Sequence, residues 1–154
     1  MGALYDAIKN YLDEQEWRYN YDEEDRYFSM GMNLKEVDSC RVYIQMRGSD
    51  DAFTIYSVLP VKAPEDKRSA VAEFITRANY GLIHGNFEMD YEDGEIRYKV
   101  TTACGDIDLG EEPMDRIINT GFCMLDRYGK GLLSVIYGNA NPAAIIDEIE
   151  NADD

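Results

Sequence analysis

Residues 64–102 read PEDKRSAVAEFITRANYGLIHGNFEMDYEDGEIRYKVTT and carry the signals of a helix followed by a β-hairpin. The apolar residues of the first half recur every three or four positions, the spacing of one helix face: Val71, Phe74, Ile75, Ala78 and Leu82. Pro64 suits the first helical turn, because its missing N–H would have no partner there anyway. Gly81 suits the left-handed residue that commonly follows a helix. The pattern predicts an amphipathic helix that ends before Gly81.

The second half of this stretch alternates apolar and polar side chains in residues 85–91 and again in residues 95–102. Such alternation is typical of strands with one buried face. The two runs are joined by Glu92-Asp93-Gly94-Glu95, which has the composition of a tight turn. Residues 90–94 also resemble part of a calcium loop, but the glycine comes one position early and no glutamate ends a twelve-residue loop. We therefore predict a hairpin turn here.

Upstream of this unit, the sequence predicts one helix and then several strands. A helix is expected from about Ala3 to Gln15, and a strand over residues 17–21 reaches a charged turn. Extended structure resumes over residues 27–34. Residues 42–47 alternate and are followed by Gly48-Ser49-Asp50-Asp51 and a strand over residues 53–59, which predicts an antiparallel hairpin.

Downstream, a long helix is predicted from Glu111, with a break or kink near Tyr128–Gly131 because two glycines weaken the helix there. Asn141-Pro142 then begins a last short helix. The chain is predicted to be one domain, residues 1–150, with an acidic tail over residues 151–154. The fold class is α+β, with an antiparallel sheet of five to six strands and helices on one face, in the order helix, three or four strands, helix, two strands, two helices.

Composition restricts the partners of the chain. Fifteen Lys and Arg stand against 31 Asp and Glu, for a net charge of -16, which repels nucleic-acid phosphates and anionic lipids. Solubility is the simplest role of this charge. No stretch approaches the length of apolar residues that spans a bilayer, and the first residues do not resemble a secretion signal, so a cytoplasmic location is expected. Neither nucleic acid nor membrane is an expected partner.

The three cysteines, Cys40, Cys104 and Cys123, are far apart and lack any Cys-x-x-Cys spacing. They are predicted to be reduced thiols, with Cys123 a small core residue of the long helix. Without paired cysteines, neither a disulfide framework nor a zinc site is expected.

Catalytic motifs are missing from the sequence. His84 is the single histidine, and no nucleophile elbow, zinc-protease motif or phosphate-binding loop occurs. The chain is therefore expected to be no enzyme and to hold no cofactor. A weak metal hypothesis concerns the acidic run before the long helix, whose carboxylates could hold a hard cation: Asp106, Asp108, Glu111 and Glu112. Acidic residues at this position are also favoured by the helix dipole alone.

Tyrosines are the more suggestive residue type, since the chain has twelve. Tyr43, Tyr56 and Tyr98 lie in predicted strands, and an aromatic ring with a polar tip suits protein interfaces as well as half-buried sheets. Packing within the sheet is the favoured role of these three residues, and contact with a protein partner is the alternative.

The order of elements, together with three local segments, resembles the YbjN-like family, described as candidate bacterial sensory transduction regulators. The segments are Phe74–Asn79, Gly85–Asp90 and Asp93–Tyr98. The resemblance implies a fold similar to that of type III secretion chaperones and brings no catalytic residue with it. Asn79 stands out as an amide expected to bond backbone groups where helix meets strand.

The first hypothesis is accordingly a cytoplasmic, non-enzymatic regulatory or chaperone-like module, a homodimer that receives a segment of another protein on its sheet face or in a helix groove. The second is a sensor of a cation or small ligand that uses the acidic run. The third is an acidic mimic of nucleic acid that captures basic partners.

Overall fold

The computed structural model describes residues 2–105 and 110–152, and within them four α-helices and six strands follow one another. In chain order the elements are α1 (Ala3–Glu14), β1 (Asn20–Asp22), β2 (Tyr27–Asn33), β3 (Ser39–Arg47), β4 (Ala52–Val58), α2 (Arg68–Asn79), β5 (Asn86–Met89), β6 (Ile96–Ala103), α3 (Glu111–Gly138) and α4 (Pro142–Asn151). Over these residues, no helix combines the length and the apolar character needed to cross a membrane.

The six strands form one antiparallel sheet in the order β1-β2-β3-β4-β6-β5. Neighbouring strands are also neighbours in sequence except at β4, which pairs with β6 and leaves β5 at the edge. α2 lies in the connection between β4 and β5. The predicted α+β class, its antiparallel sheet and the order of elements are confirmed.

One face of the sheet is apolar and forms the core with the helices. Phe28, Ile44, Ile55 and Val100 lie side by side across β2, β3, β4 and β6 and are at most 7% exposed. α2 and α3 contribute buried residues from the stripes of their sequences, including Phe74. We call this the inner face. Side chains alternate between the two faces along each strand, so the residues between those of the inner face point to the opposite side of the sheet. We call that side the outer face.

The long helix α3 runs from Glu111 to Gly138 without interruption, so the predicted break near Tyr128–Gly131 is wrong. The glycines serve close packing instead. A Cβ at Gly129 would lie 2.3 Å from Cγ2 of Val37, and one at Gly131 would lie 2.6 Å from Cδ1 of Ile149. The stabilisation gained from this close packing is larger than the roughly 1 kcal/mol that glycine costs in a helix relative to alanine.

The hairpin turn between β5 and β6 is formed as predicted. The N–H of Gly94 donates to the carbonyl of Asp90, at 2.7 Å, and Gly94 has a φ of +83°. The turn packs on the connection that precedes α2, where Ala63 N–H donates to the Gly94 carbonyl at 2.8 Å. Any side chain at Gly94 would collide with the backbone of Ala63, which lies 2.0 Å from the position of a Cβ. The glycine is required both by φ and by space.

Candidate functional site

The outer face of the sheet carries a cluster of tyrosines. Tyr43 and Tyr56 are directly paired across β3 and β4, and the Tyr27 ring lies 5.9 Å from the Tyr43 ring, centroid to centroid. All three side chains are half-buried. Together with Gln45, Val58, Glu95 and Arg97 they line a shallow depression of about 220 Å³. We call the three tyrosines the tyrosine cluster.

Three arginines surround the tyrosine cluster. The guanidinium of Arg97 lies over the Tyr56 ring at 4.0 Å, and that of Arg41 lies 5.9 Å from the centre of the Tyr43 ring. Arg47 donates to the Tyr56 hydroxyl at 2.5 Å and to the Thr54 hydroxyl at 3.2 Å. Cation–π attraction favours these orientations, most strongly for Arg97, whose guanidinium lies closest to a ring.

One carboxylate at the β5 edge of the outer face pairs with two of the basic residues. Glu88 accepts from Arg97 at 2.6 Å and from Lys99 at 3.0 Å. Burial alone would raise the pKa of Glu88, but the bonds from Lys99 and Arg97 outweigh it and hold this pKa below its usual value. Among the described residues, neither Arg41 nor Arg47 has an acidic partner.

The third tyrosine of the sequence prediction does not belong to this surface. Tyr98 is fully buried on the inner face, in edge-to-face contact with Phe87, and its hydroxyl donates to the backbone carbonyl of His84. Burial raises the pKa of Tyr98 to about 12. The prediction of an interface role for Tyr98 is therefore wrong. Tyr98 pairs with Ser57, whose side chain points to the inner face, whereas Tyr56 pairs with Lys99 and points to the outer face.

The amide of Asn79 bonds backbone groups where α2 meets β5, as predicted, and in doing so it closes the sheet edge at β5. Its Nδ2 donates to the Phe87 carbonyl at 2.9 Å, and its Oδ1 accepts from the Phe87 N–H at 2.7 Å. The side chain thus occupies both backbone groups of Phe87 in the manner of a neighbouring strand. At the other edge, β1 is only three residues long. Strand addition at either edge is therefore disfavoured, and the outer face is the larger free surface of the sheet.

The proposed acidic site lies partly outside the described residues, since it includes Asp106 and Asp108. Glu111 and Glu112 are exposed in the first turn of α3, where Glu112 pairs with Arg116 at 2.8 Å. Among the described residues, no group of three or more histidine, cysteine or acidic side chains is arranged to hold a metal ion. The helix dipole accounts for the two described glutamates.

Two of the three cysteines are buried, but Cys123 is exposed on α3, so its predicted place in the core is wrong. The buried stripe of α3 includes Gly121 and Leu125, and Cys123 lies between them on a different side of the helix. Burial raises the pKa of Cys40 to about 11, with a further contribution from Asp126. His84 is exposed in the connection between α2 and β5.

Sequence reasoning missed the basic residues of the outer face. Their signal was present in β3, where Arg41, Tyr43, Gln45 and Arg47 alternate with buried residues. Arg97 and Lys99 alternate in the same way in β6. Only the strand register shows that the two sets lie on one surface.

Comparison with known proteins places this architecture in a family. Residues 4–134 match the YbjN family model, described as "Putative bacterial sensory transduction regulator". The chain belongs to the YbjN family. The match extends from α1 into the C-terminal part of α3 and so includes every strand of the sheet.

The solved structures that are similar to this YbjN-family chain include the following two. One is an uncharacterized protein from Methanothermobacter thermautotrophicus, with 22% sequence identity and a TM-score of 0.53, covering 86% of this chain and 99% of that one. The other is YbjN from E. coli, described as "a putative transcription regulator", with 11% identity and a TM-score of 0.49 over 87% of this chain and 90% of that one. A search of curated protein sequences found no match.

Proposed function

We propose that this YbjN-family protein is a cytoplasmic, non-enzymatic regulatory module that binds a segment of another protein on the outer face of its sheet. The observation that carries the proposal is the tyrosine cluster, which forms a shallow, half-buried surface beside oriented arginines. Tyrosine and arginine are the residue types that dominate binding energy at protein interfaces. The family description, a regulator of sensory transduction, agrees with a binding role.

The arrangement of the helices supports the choice of this face. The inner face is filled by the core, and the residues of α1, α2 and α3 that are buried pack against that side. An antiparallel sheet commonly has one face on the core and one toward solvent. Here the face toward solvent carries three aromatic rings, whereas a surface that contacts only water usually carries charged and small polar side chains.

Homodimerisation and a chaperone-like role are parts of the same proposal. A homodimer would have two outer faces and could bind two segments or one longer segment. Light scattering on the purified protein measures the mass directly, and a mass of one chain over the micromolar range would exclude the dimer.

The docking role is tested by affinity purification with paired variants. Tyr43→Thr with Tyr56→Thr removes two rings of the tyrosine cluster and keeps β-branched residues in the strands. Tyr80→Thr with Ile83→Thr removes two large side chains that are 90% and 86% exposed but lie outside the sheet. We expect a stoichiometric partner that is lost with the first pair and retained with the second. A partner retained by both variants, with both folded by circular dichroism, would refute the outer face as the docking surface.

A further inference from the structure

The outer face is basic relative to the rest of the chain. In a protein with fifteen basic and 31 acidic residues, Arg41, Arg47, Arg97 and Lys99 lie on this one surface. Among the described residues, the acidic side chains at strand positions of this face are Glu88 in β5 and Asp22 in β1, and Glu95, just before β6, lines the same depression. The balance of charge is therefore reversed where the tyrosine cluster lies.

The basic residues of this face fall into two groups. Arg97 and Lys99 are already bonded to Glu88, and Arg97 also lies 4.0 Å from Glu95. Arg41 and Arg47 are exposed and have no acidic partner among the described residues. Arg41 and Arg47 lie on either side of Tyr43 in β3, with their Cα atoms six residues apart, or about 20 Å along an extended strand. Both guanidinium groups lean toward the tyrosine cluster and lie 5.9 Å from the centre of a ring, that of Tyr43 for Arg41 and that of Tyr56 for Arg47.

We propose that the segment bound on the outer face is acidic, with carboxylates that pair with Arg41 and Arg47 and apolar side chains that pack on the tyrosine cluster. This inference rests on the proposed docking function and names the chemistry of its partner. A carboxylate matches the planar fork of an arginine with two parallel hydrogen bonds. The rings of Tyr43 and Tyr56 would exclude water from these pairs and so strengthen them.

A nucleic acid fits the same surface less well. Its phosphates recur at every nucleotide, so a bound strand would bring many negative charges toward a chain of net charge -16. Of the four basic residues on this face, Arg41 and Arg47 pair with no acidic group in the described part of the chain. Two arginines are enough to pair with two carboxylates but too few to neutralise a continuous phosphate backbone. A peptide segment can carry its acidic residues only where these arginines lie.

The inference is tested with a phage-displayed library of random dodecapeptides, selected on the immobilised protein. We expect enrichment of peptides that contain aspartate or glutamate beside apolar residues. A synthesised selected peptide should bind about tenfold or more weakly to the Arg41→Gln, Arg47→Gln variant, because both charge-assisted pairs between guanidinium and carboxylate are lost. Replacing its acidic residues by glutamine should have a similar effect, and both effects should shrink at high salt.

The matched control is Arg77→Gln with Arg116→Gln, two arginines on helices away from the outer face. It changes the net charge by the same amount and should leave peptide affinity within about twofold. Circular dichroism and melting temperature establish that all variants are folded.

The other outcomes separate this inference from the proposed function. Neutral peptides whose binding is lost with Tyr43→Thr, Tyr56→Thr but not with Arg41→Gln, Arg47→Gln would overturn the acidic partner and leave the docking face standing. Binding insensitive to both variants, or no enrichment, would overturn both. An oligo-uridine of twelve nucleotides that displaces the peptide and depends on the two arginines would assign the face to nucleic acid. A dimer that becomes a monomer in the arginine variant would assign it to a second copy of the chain.

Discussion

Replacing Asn79 by alanine removes both hydrogen bonds that close the β5 edge. The lost bonds are 2.9 Å and 2.7 Å long and involve the carbonyl and the N–H of Phe87, a residue only 2% exposed. The carbonyl keeps a second donor, Asn86 Nδ2 at 3.1 Å, but the N–H loses its side-chain partner in a buried position. With about 1 kcal/mol for a typical bond and about 1–3 kcal/mol for a buried group left without a partner, the substitution should destabilise the protein by about 2–4 kcal/mol.

Urea denaturation, followed by circular dichroism and by the fluorescence of the single tryptophan, measures this loss. The midpoint should fall with little change in slope, because the same surface is exposed on unfolding.

The matched control for this experiment is Asn86→Ala. It removes the other amide bonded to the Phe87 carbonyl and leaves no donor unpaired, so it should cost about 1 kcal/mol or less. If Asn79→Ala were no more destabilising than Asn86→Ala, the account of Asn79 as the closing group of the sheet edge would be refuted.

Three further predictions concern other parts of the chain. Gly129→Ala should destabilise the protein by about 1–2 kcal/mol in urea denaturation, because overlap with Val37 exceeds the gain in helix preference, whereas Gly138→Ala, with no atom within 4 Å of its Cβ, should be neutral or stabilising. Glu88→Gln should lower the melting temperature at pH 7. The pKa of Glu88 is lower in the folded than in the unfolded protein, so its ion pairs stabilise the folded state above the unfolded pKa of about 4.3. This stabilisation is lost as the pH falls through the folded pKa. The melting temperatures of variant and wild type should therefore converge in acid. Iodoacetamide should modify one thiol of the native protein, at Cys123, and three after unfolding; modification of a native Cys123→Ser variant would contradict the described burial.

Local patterns in the sequence were sufficient for most of the fold. The helix and hairpin of residues 64–102 are specified by periodicity and by turn residues, and Asn79 was identified because a polar residue at the end of a helix has few partners other than nearby backbone. The strand before β2 was predicted over residues 17–21, but pairing is limited to Asn20–Asp22, where β1 meets β2. Strand ends depend on the partner strand, which a local pattern does not contain.

The candidate site was only partly predictable. Tyr43 and Tyr56 were identified, but Tyr98 was assigned to the same surface because each strand was considered by itself. The register between β4 and β6 decides which face each residue occupies, and it is set by contacts across the whole sheet. For the same reason, the surface formed by Arg41, Arg47 and Arg97 could not be recognised before the strands were placed side by side.

The strand order has a consequence for the growing chain on the ribosome. β1 to β4 can pair as soon as each emerges, but the other edge of β4 waits for β6, which begins at Ile96. Until then, the apolar side of β4, with Phe53 and Ile55, lies beside unpaired backbone, the kind of edge that promotes aggregation. A nascent chain stopped between Val58 and Ile96 should therefore be more dependent on chaperones than one stopped after Ala103. The nascent chain is therefore most prone to aggregation during the synthesis of the residues between β4 and β6, the two neighbouring strands of the sheet that are not consecutive in sequence.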